Sequence, residues 1–423
     1  MSAPKPTRRG LIAVLSAMAA GWTSARLLGL ALPWFVLTST GSTAATGAVV
    51  LAQMGPYVVA QLLSGPIIDR IGPRRVSVVG DIIAAVGLAV IPVLHLAGVL
   101  SLPVLFVAIA IVGVSDGPAN VAKAIFIPSV TKAAGMRLER GTGLSGAIER
   151  AATTVGPAVA GVLIAAVGGV YALWITAALT AVASATVALF VTNPEVEPEP
   201  DRPTGYLGQL RQGGEFLRKD GLLSSIIGMV FVTNLLDQAW TAVLLPVWAK
   251  HFDHGPQAIG LMISIFGATS VIASLAAAAW GHRLPRRLVY IVGFMLGGVP
   301  RFIVMAMGAP LWVVALVFGV GGLASGFLNP IIGAVQYERV PAAMLGRVST
   351  LTRALAWAGI PFGGMVGSAA VAAAGISPAL LIIGAAYLVV TLVPGLRKEW
   401  AQMNHGAAVP KQATEEPEPA PAT

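Results

Sequence analysis

Two aspartates stand within stretches that are otherwise almost entirely apolar, and acid–base chemistry is expected there. Asp116 is followed by Asn120 one helical turn later, and Asp237 lies between Asn234 and Gln238. Spacings of three or four residues place such side chains on one face of a helix. Apolar surroundings favour the protonated form of a carboxyl, and a neighbouring cation favours the ionised form. A change of surroundings could therefore bind and release a proton.

Arg26 is the cation that could take part in this chemistry, since it also lies within an apolar stretch. Charged residues are costly in such positions and usually face a cavity or a partner. One hypothesis is that Asp237 or Asp116 exchanges protons while the other aspartate pairs with Arg26. The alternative is a buried ion pair with only a structural role, and the sequence leaves both open.

A second group of residues combines glycines with charges in a short interval between apolar runs. Its members are Gly65, Asp69, Arg70, Gly72, Arg74 and Arg75. Gly65 would let two helices approach closely, and Gly72 would permit a tight turn. Asp69 could face the amino end of a later helix near Gly346, where the helix dipole favours an anion. The arginines could pair with acids or lipid phosphates, or they could only fix the orientation of the chain in a membrane.

The elements that must position these residues are long apolar helices. Of the 423 residues, 56% are hydrophobic and 11% are charged, against about 25% charged in a typical soluble domain. Apolar runs of about 20 residues are long enough to span a bilayer of about 30 Å. The sequence contains twelve such runs, near 11–39, 44–68, 76–98, 102–126, 142–167, 170–192, 221–249, 256–281, 288–307, 310–336, 347–374 and 377–396. We therefore predict an all-α membrane protein with twelve transmembrane helices.

The basic residues indicate how the chain is oriented. Most of the 27 Lys and Arg residues fall at the amino end, in alternate loops, in the middle of the chain and in the tail, and only Lys250 lies on the opposite side. Positive loops mark the cytoplasmic side, so both termini are predicted to be cytoplasmic. Lys123, near the end of a span, is expected to extend towards the interface. Trp248 is expected to anchor the chain at the membrane interface.

The second half of the chain repeats the first. Pro33 corresponds to Pro246, and Asn120 corresponds to Asn329, at slowly changing offsets. Six helices followed by six similar helices in the same orientation form a parallel repeat. The predicted domains are a six-helix bundle over 1–193, a cytoplasmic linker with a short amphipathic helix over 194–220, a second six-helix bundle over 221–398 and a disordered cytoplasmic tail over 399–423.

The glycine-rich and charged motif resembles the loop 2–3 signature of the major facilitator superfamily, G-x-x-x-D-R-x-G-R-R, from which Pro73 departs. It also stands between the second and third predicted spans, as it does in that family. The first and eleventh runs are similar to those of the macrolide-efflux and enterobactin-exporter-like branch. In the fifth run, Gly156, Pro157 and Gly161 resemble a motif that is common in exporters, although the fuller pattern is absent.

The resemblance implies the major facilitator fold, in which spans 1, 4, 7 and 10 line a central cavity. These spans carry Arg26, Asp116, Asn120, Asn234, Asp237, Gln238 and Asn329. It also implies that the loop 2–3 motif is a latch that stabilises the outward-facing state. Glu149 and Arg353 could form a gate pair between the two halves, or each could pair within its own bundle.

The predicted function is secondary active transport, in the form of proton-coupled efflux of amphipathic drugs, antibiotics or siderophore-like metabolites by alternating access. The alternatives are an importer, an uncoupled facilitator or lipid flippase on the same fold, or a transport-dead membrane sensor. The sequence contains no P-loop and no catalytic grouping, so we expect no enzyme activity and no metal or other cofactor, with a proton gradient as the energy source.

The expected partners are a small-molecule substrate and the lipid of a bacterial plasma membrane. Nucleic acid is not expected as a partner, and the chain is expected to be a monomer.

Overall fold

The computed structural model describes residues 8–136, 138–192, 206–280, 285–340 and 345–403, and the elements assigned within these ranges are helices. The first half contains α1 (Arg9–Thr40), α2 (Thr43–Leu62), α3 (Ser64–Ile71), α4 (Pro73–Leu96), α5 (Leu102–Ala133) and α6 (Leu138–Phe190). The second half contains α7 (Tyr206–Lys219), α8 (Gly221–Ala239), α9 (Leu245–His251), α10 (Gly255–Trp280), α11 (Arg286–Ala306), α12 (Leu311–Ser325), α13 (Leu328–Arg339), α14 (Leu345–Trp357), α15 (Ile360–Ala374) and α16 (Ile376–Leu396). A π-helix, Trp240–Leu244, joins α8 to α9, and a 3₁₀-helix, Lys398–Met403, follows α16. The acidic part of the predicted linker, 194–205, and the tail from 404 onwards lie outside the described residues.

Six of the twelve predicted spans coincide with one helix each, namely α1, α4, α5, α10, α11 and α16. The fifth and sixth predicted spans both lie within α6 and are separated at Gly168, whose φ of +83° is non-helical and suits a glycine. The runs near 44–68, 310–336 and 347–374 are each divided into two shorter helices. In the described part of the chain, ten helical segments are long and apolar enough to cross a membrane, with α6 counted once, and α12 is a shorter apolar helix.

The long helices pack side by side within each half and bury apolar cores. In the first half α1 packs on α6 and α4 packs on α5, while in the second half α11 packs on α12 and α16. The two halves meet where α2 packs on α15 and where α6 packs on α10. In terms of the predicted spans, these contacts join 2 with 11 and 5 with 8, which are the equivalent pairs of a parallel repeat.

The two halves touch closely on one side of the molecule. We call the side that contains α7 the linker face and the opposite side the far face. Near the far face, Gly47 lies against the backbone of Gly364, and Gly260 lies against the backbone of Pro157. A Cβ atom at either Gly47 or Gly260 would overlap a carbonyl oxygen of the other half. Only glycine therefore permits these helix contacts.

The linker face is arranged differently. Lys250, at the far face, donates a hydrogen bond of 3.3 Å to the carbonyl oxygen of Leu37 in the other half. At the linker-face end of α6, by contrast, Glu149 and Arg150 are exposed, and α14 packs on α7 and α8 of its own half. The contacts that Gly47, Gly260 and Lys250 make between the halves therefore lie towards the far face.

Candidate functional site

A cavity of about 360 Å³ lies within the second half, bounded by α8, the π-helix, α10, α11, α12, α13 and α16. Its polar lining comprises Thr233, Asn234, Asp237, Thr241, Ser270, Arg301 and Ser325, and its aromatic lining comprises Trp240, Phe266, Phe294 and Tyr387. Among these lining residues, only Asp237 and Arg301 carry a formal charge. The volume is at the lower end of the range of ligand pockets, about 300–1,000 Å³.

Asp237 forms an ion pair with Arg301 of α11, whose guanidinium group donates a hydrogen bond to Oδ1 of the carboxylate. The side chain of Arg301 is 8% exposed, whereas that of Asp237 is 39% exposed. The carboxylate therefore faces the cavity, and the arginine lies behind it within the protein. The attraction between the two charges offsets part of the desolvation penalty of holding each of them at this depth.

Three aromatic rings surround the guanidinium group of Arg301. Its central carbon lies 4.4 Å from the ring centre of Trp240, 4.9 Å from that of Phe302 and 5.5 Å from that of Tyr387. A cation within about 6 Å of a ring centre is attracted to the face of the ring. Arg301 is thus stabilised both by a carboxylate and by aromatic faces.

The π-helix begins at Trp240, one turn after Asp237. Short π-helical segments within α-helices occur frequently at functional sites. The indole Nε1 of Trp240 donates to the sulfur of Met305 at 3.4 Å, which fixes the plane of the ring next to Arg301. Trp248, in α9, donates to the carbonyl oxygen of Met305 at 3.1 Å and is fully buried. The prediction that Trp248 anchors the chain at the interface is wrong, because its indole finds an acceptor inside the protein.

The two amides next to Asp237 point in different directions. Asn234 lines the cavity, and its Nδ2 donates to the carbonyl oxygen of Ala356 at 2.9 Å, which ties α8 to α14. Gln238 packs on α15, where a Cβ atom at Gly363 would come within 2.6 Å of the Cβ of Gln238. Asn234 and Asp237 therefore share the cavity, while Gln238 faces the helix beside it.

The first half contains an ion pair that is sealed from solvent. Lys123 of α5 donates to Oδ1 of Asp81 in α4 at 2.7 Å, and the two side chains are 3% and 0% exposed. The expectation that Lys123 extends towards the interface is wrong, because Asp81 provides a counter-charge at the same depth. No sequence spacing links the two residues, since they lie on different helices.

Asp116 and Asn120 lie on the same helix as Lys123, at spacings that place all three on one face of α5. Asp116 is partly exposed, unlike Asp81. Arg26 is exposed on α1, and its neighbouring polar groups are Glu149 and Tyr57. Among the described side chains, Arg26 pairs with neither Asp116 nor Asp237. The predicted Arg26–aspartate pair is therefore wrong in this conformation, and Arg301 takes that role for Asp237.

The loop 2–3 motif forms the turn between α3 and α4. Gly72 has a φ of +91°, as expected for a tight turn, and Pro73 occupies the first turn of α4, where proline is well tolerated. Arg74 donates to the carbonyl oxygen of Ala188 in α6, while Arg70 and Arg75 are exposed. Gly65 has no heavy atom within 4 Å of a Cβ position, so it does not mark a close helix contact in this conformation.

The exporter-like motif of the fifth span lies in α6 at the contact with the second half. A Cβ atom at Gly161 would come within 2.6 Å of the carbonyl oxygen of Pro256, and Pro157 lies against Gly260. Gly156 faces the other way, where a Cβ atom would lie 3.0 Å from the Cβ of Arg26. The motif thus allows α6 to approach both α10 and α1.

Several predicted residues lie outside what the structure describes. The side chains of Asp69, Asn329 and Arg353 are not among the described ones, so neither the latch nor the pairing of Glu149 with Arg353 is tested. In the described part of the chain, no group of three or more His, Asp or Glu side chains is suitably placed for a metal ion.

A set of polar contacts at the linker face was not predicted from the sequence. Arg286 binds Glu338 through two hydrogen bonds of 2.6 and 2.8 Å, which hold the pKa of the Glu338 carboxyl below its usual value. Asp220 caps α8 through the backbone of Leu223 and also accepts a 2.8 Å hydrogen bond from Arg339. These contacts connect the linker-face ends of α8, α11 and α13.

Comparison with known proteins identifies the family. A family model described as Major Facilitator Superfamily matches residues 11–239 and 227–402. The "Multidrug efflux pump Tap" of Mycobacterium tuberculosis is 30% identical over 389 residues, covering 87% of this chain and 90% of the relative. The protein of the same name from Mycolicibacterium fortuitum is 28% identical, covering 92% and 95%. "Enterobactin exporter EntS" of Shigella flexneri is 25% identical, covering 77% and 76%.

Solved structures show the same fold. The nucleoside transporter NupG superposes with a TM-score of 0.72 at 18% identity, over 92% of this chain and 98% of that chain. A POT family transporter in complex with a thioalcohol-conjugated peptide superposes with a TM-score of 0.69 at 13% identity, over 91% and 95%. At these identities the likeness concerns the fold alone.

Proposed function

The chain belongs to the Major Facilitator Superfamily, and we propose that it exports amphipathic small molecules by proton-coupled alternating access. It is a multi-pass protein of the bacterial plasma membrane and not an enzyme. The proposed topology has twelve spans in two six-helix bundles, over 1–193 and 221–398, with the linker face and both termini in the cytoplasm. In this topology the far face, where Gly47 and Gly260 meet the other half, is the outer side, which supports an inward-facing state.

One observation carries the proposal: a partly exposed carboxylate, Asp237, is paired with a buried arginine, Arg301, in a cavity within the membrane-spanning bundle. Ionised groups are rare in such positions and mark substrate or proton pathways. Asp237 is open to the cavity, so a proton or a substrate can reach it. Binding of either would weaken its bond to Arg301 and so change the contact between α8 and α11.

The remaining features support the same mechanism. The loop 2–3 motif would act as a latch between the halves in the outward-facing state, and Glu149 with Arg353 would act as a gate. Asp116, with Asn120 beside it, is the second candidate for proton exchange. We propose a small-molecule substrate and surrounding lipid as the partners, a monomer as the working form, and the proton gradient in place of any cofactor.

The test uses everted membrane vesicles that contain either the native protein or Asp237→Asn. The expected result is that ethidium accumulates in the native vesicles when a proton gradient is imposed, and that this accumulation is lost both with a protonophore and in Asp237→Asn. Asp253→Asn is the matched control, because Asp253 is exposed at the far face and its φ of 59° suits asparagine.

Other outcomes would identify the alternatives. Dye movement that persists unchanged with the protonophore would indicate an uncoupled facilitator or a lipid flippase. Gradient-driven loss of dye from the everted vesicles would indicate an importer. No movement of ethidium or of a panel of other amphipathic dyes and antibiotics would favour a sensor. Gradient-dependent accumulation that is equal in Asp237→Asn and native vesicles would remove Asp237 from the mechanism.

A further inference from the structure

We propose that an aromatic cage, formed by Trp240, Phe302 and Tyr387, holds the guanidinium group of Arg301 in place while Asp237 is neutral. This inference rests on the proposed function, because a carboxyl that exchanges protons must be neutral during part of the cycle. At that moment Arg301 loses the only charged partner that it has among the residues lining the cavity. A buried arginine without a partner would otherwise move into the cavity and occupy the space that a substrate needs.

The cage meets the guanidinium group from three sides. Trp240 belongs to the π-helix, Phe302 to α11 and Tyr387 to α16, and their ring centres lie 4.4, 4.9 and 5.5 Å from the central carbon of Arg301. All three side chains are buried. Attraction between a cation and a ring face is strongest when the pair is removed from water, so this site provides the conditions in which the rings matter most.

The positions of the rings are set by their surroundings. A Cβ atom at Gly298 would come within 2.7 Å of Cζ of Tyr387, and a Cβ atom at Gly384 would come within 2.8 Å of Cβ of Phe302. Each of α11 and α16 therefore makes room, through a glycine, for the ring of the other helix. Met305 accepts the hydrogen bond from Trp240 and orients the third ring.

Few other forces act on the guanidinium group. Its Nε is buried and, among the described side chains, has no hydrogen-bond partner. Among the residues that line the cavity, Tyr387 is the one titratable group besides Asp237 and Arg301. The lining residues contributed by α10, α12 and α13 are uncharged. Arg301 is therefore held by two restraints, the carboxylate and the cage, and each can hold it when the other is lost.

The two restraints predict a synergistic effect on stability. The experiment measures the melting temperature of the purified full-length protein in detergent for Asp237→Asn, Trp240→Leu and the double variant. Each single change leaves one restraint, so we expect the double variant to lose more than the sum of the two single losses.

The conservative change Trp240→Phe keeps an aromatic face, so it should behave like the native residue in both backgrounds. A ring that only filled space would lower the melting temperature equally in both backgrounds, and that additive result would overturn the cage. If Trp240→Leu does not accumulate in cells, Met305→Leu tests the same point, because it removes only the acceptor that orients the indole. Additive losses of melting temperature for Met305→Leu and Asp237→Asn would then overturn the cage. None of these measurements involves transport, so an uncoupled Asp237 would overturn the proposed function without affecting the cage.

Discussion

The ion pair between Lys123 and Asp81 offers a direct test of whether its role in the first half is structural. Both side chains are almost fully buried, at 3% and 0% exposure, and their charged atoms are 2.7 Å apart. Lys123→Met leaves Asp81 without a partner, and Asp81→Leu leaves Lys123 without one. Each single change is expected to destabilise the fold strongly, whereas the combination of both changes is expected to be nearly neutral.

The size of the effect follows from the cost of neutralising the remaining group. A buried carboxylate without a partner can take up a proton, and for an ordinary aspartate at pH 7 this requires about 4 kcal/mol. A buried lysine can lose its proton, which requires about 5 kcal/mol at the same pH. These limits agree with the loss of about 3–5 kcal/mol that is usual when one partner of a buried pair is removed.

The same reasoning gives the two variants opposite pH dependences. In Lys123→Met, acidification supplies the proton that Asp81 needs, so the loss of stability becomes smaller as the pH falls. In Asp81→Leu, the buried lysine must be neutral, so the loss becomes smaller as the pH rises. In each case the change is about 1.4 kcal/mol per pH unit.

The assay is reversible unfolding in mixed micelles, followed by tryptophan fluorescence at pH 5.5, 7 and 8.5. Lys132→Met is the matched control, because Lys132 is exposed on the same helix and should change stability by less than about 0.5 kcal/mol. Additive losses in the double variant, or pH slopes of the same sign in both single variants, would show that the two groups do not form a pair in the folded protein.

Two further predictions concern the contacts between helices. Gly260→Val places a side chain against the backbone of Pro157 and should open the far face. Thr154 of α6 lies against Gly267 of α10 in the same contact, so a single cysteine introduced by Thr154→Cys should then react faster with an impermeant maleimide added from outside. Gly228→Ala, at a position with no atom within 4 Å, should leave the rate unchanged, and an equal rate in Gly260→Val would contradict the far-face contact. Glu338→Gln removes a partly exposed ion pair with Arg286 and should lower stability at neutral pH by about 1 kcal/mol or less. Because the pKa of Glu338 is lowered in the folded state, this stabilisation is present above the ordinary glutamate value and should disappear as the pH falls below about 4; a difference that persists at pH 3 would point to lost packing instead.

The helices could be predicted from the sequence because their cause is local. An apolar run of about 20 residues has few stable forms other than a helix in a membrane, and a glycine such as Gly168 or Gly72 permits a change of direction within the chain itself. The amphipathic helix α7 was predicted in the same way, from the spacing of its apolar and basic residues. Each of these features depends only on neighbouring residues.

The pairing of charges could not be predicted, because it depends on which helices are adjacent. Asp237 was singled out because its surroundings in the sequence are apolar, but its partner lies 64 residues away on α11, and Arg301 had no motif around it. Lys123 was misinterpreted for the same reason, since Asp81 lies on a different helix. A sequence reveals that a buried charge needs a partner, and only the packing of the helices reveals which residue provides it.

The two halves repeat in backbone but not in charge, and this difference favours the second half as the place of the proposed proton coupling. The first half places its aspartate–cation pair between α4 and α5, where neither side chain is more than 3% exposed. The second half places its pair between α8 and α11, where the carboxylate is 39% exposed to a cavity. A sealed pair can contribute only to stability, because no proton or ligand can reach it without unfolding its surroundings. An open pair can respond to both, so loss of the Asp81–Lys123 charges together should leave coupling intact, whereas loss of the Asp237 charge should abolish it.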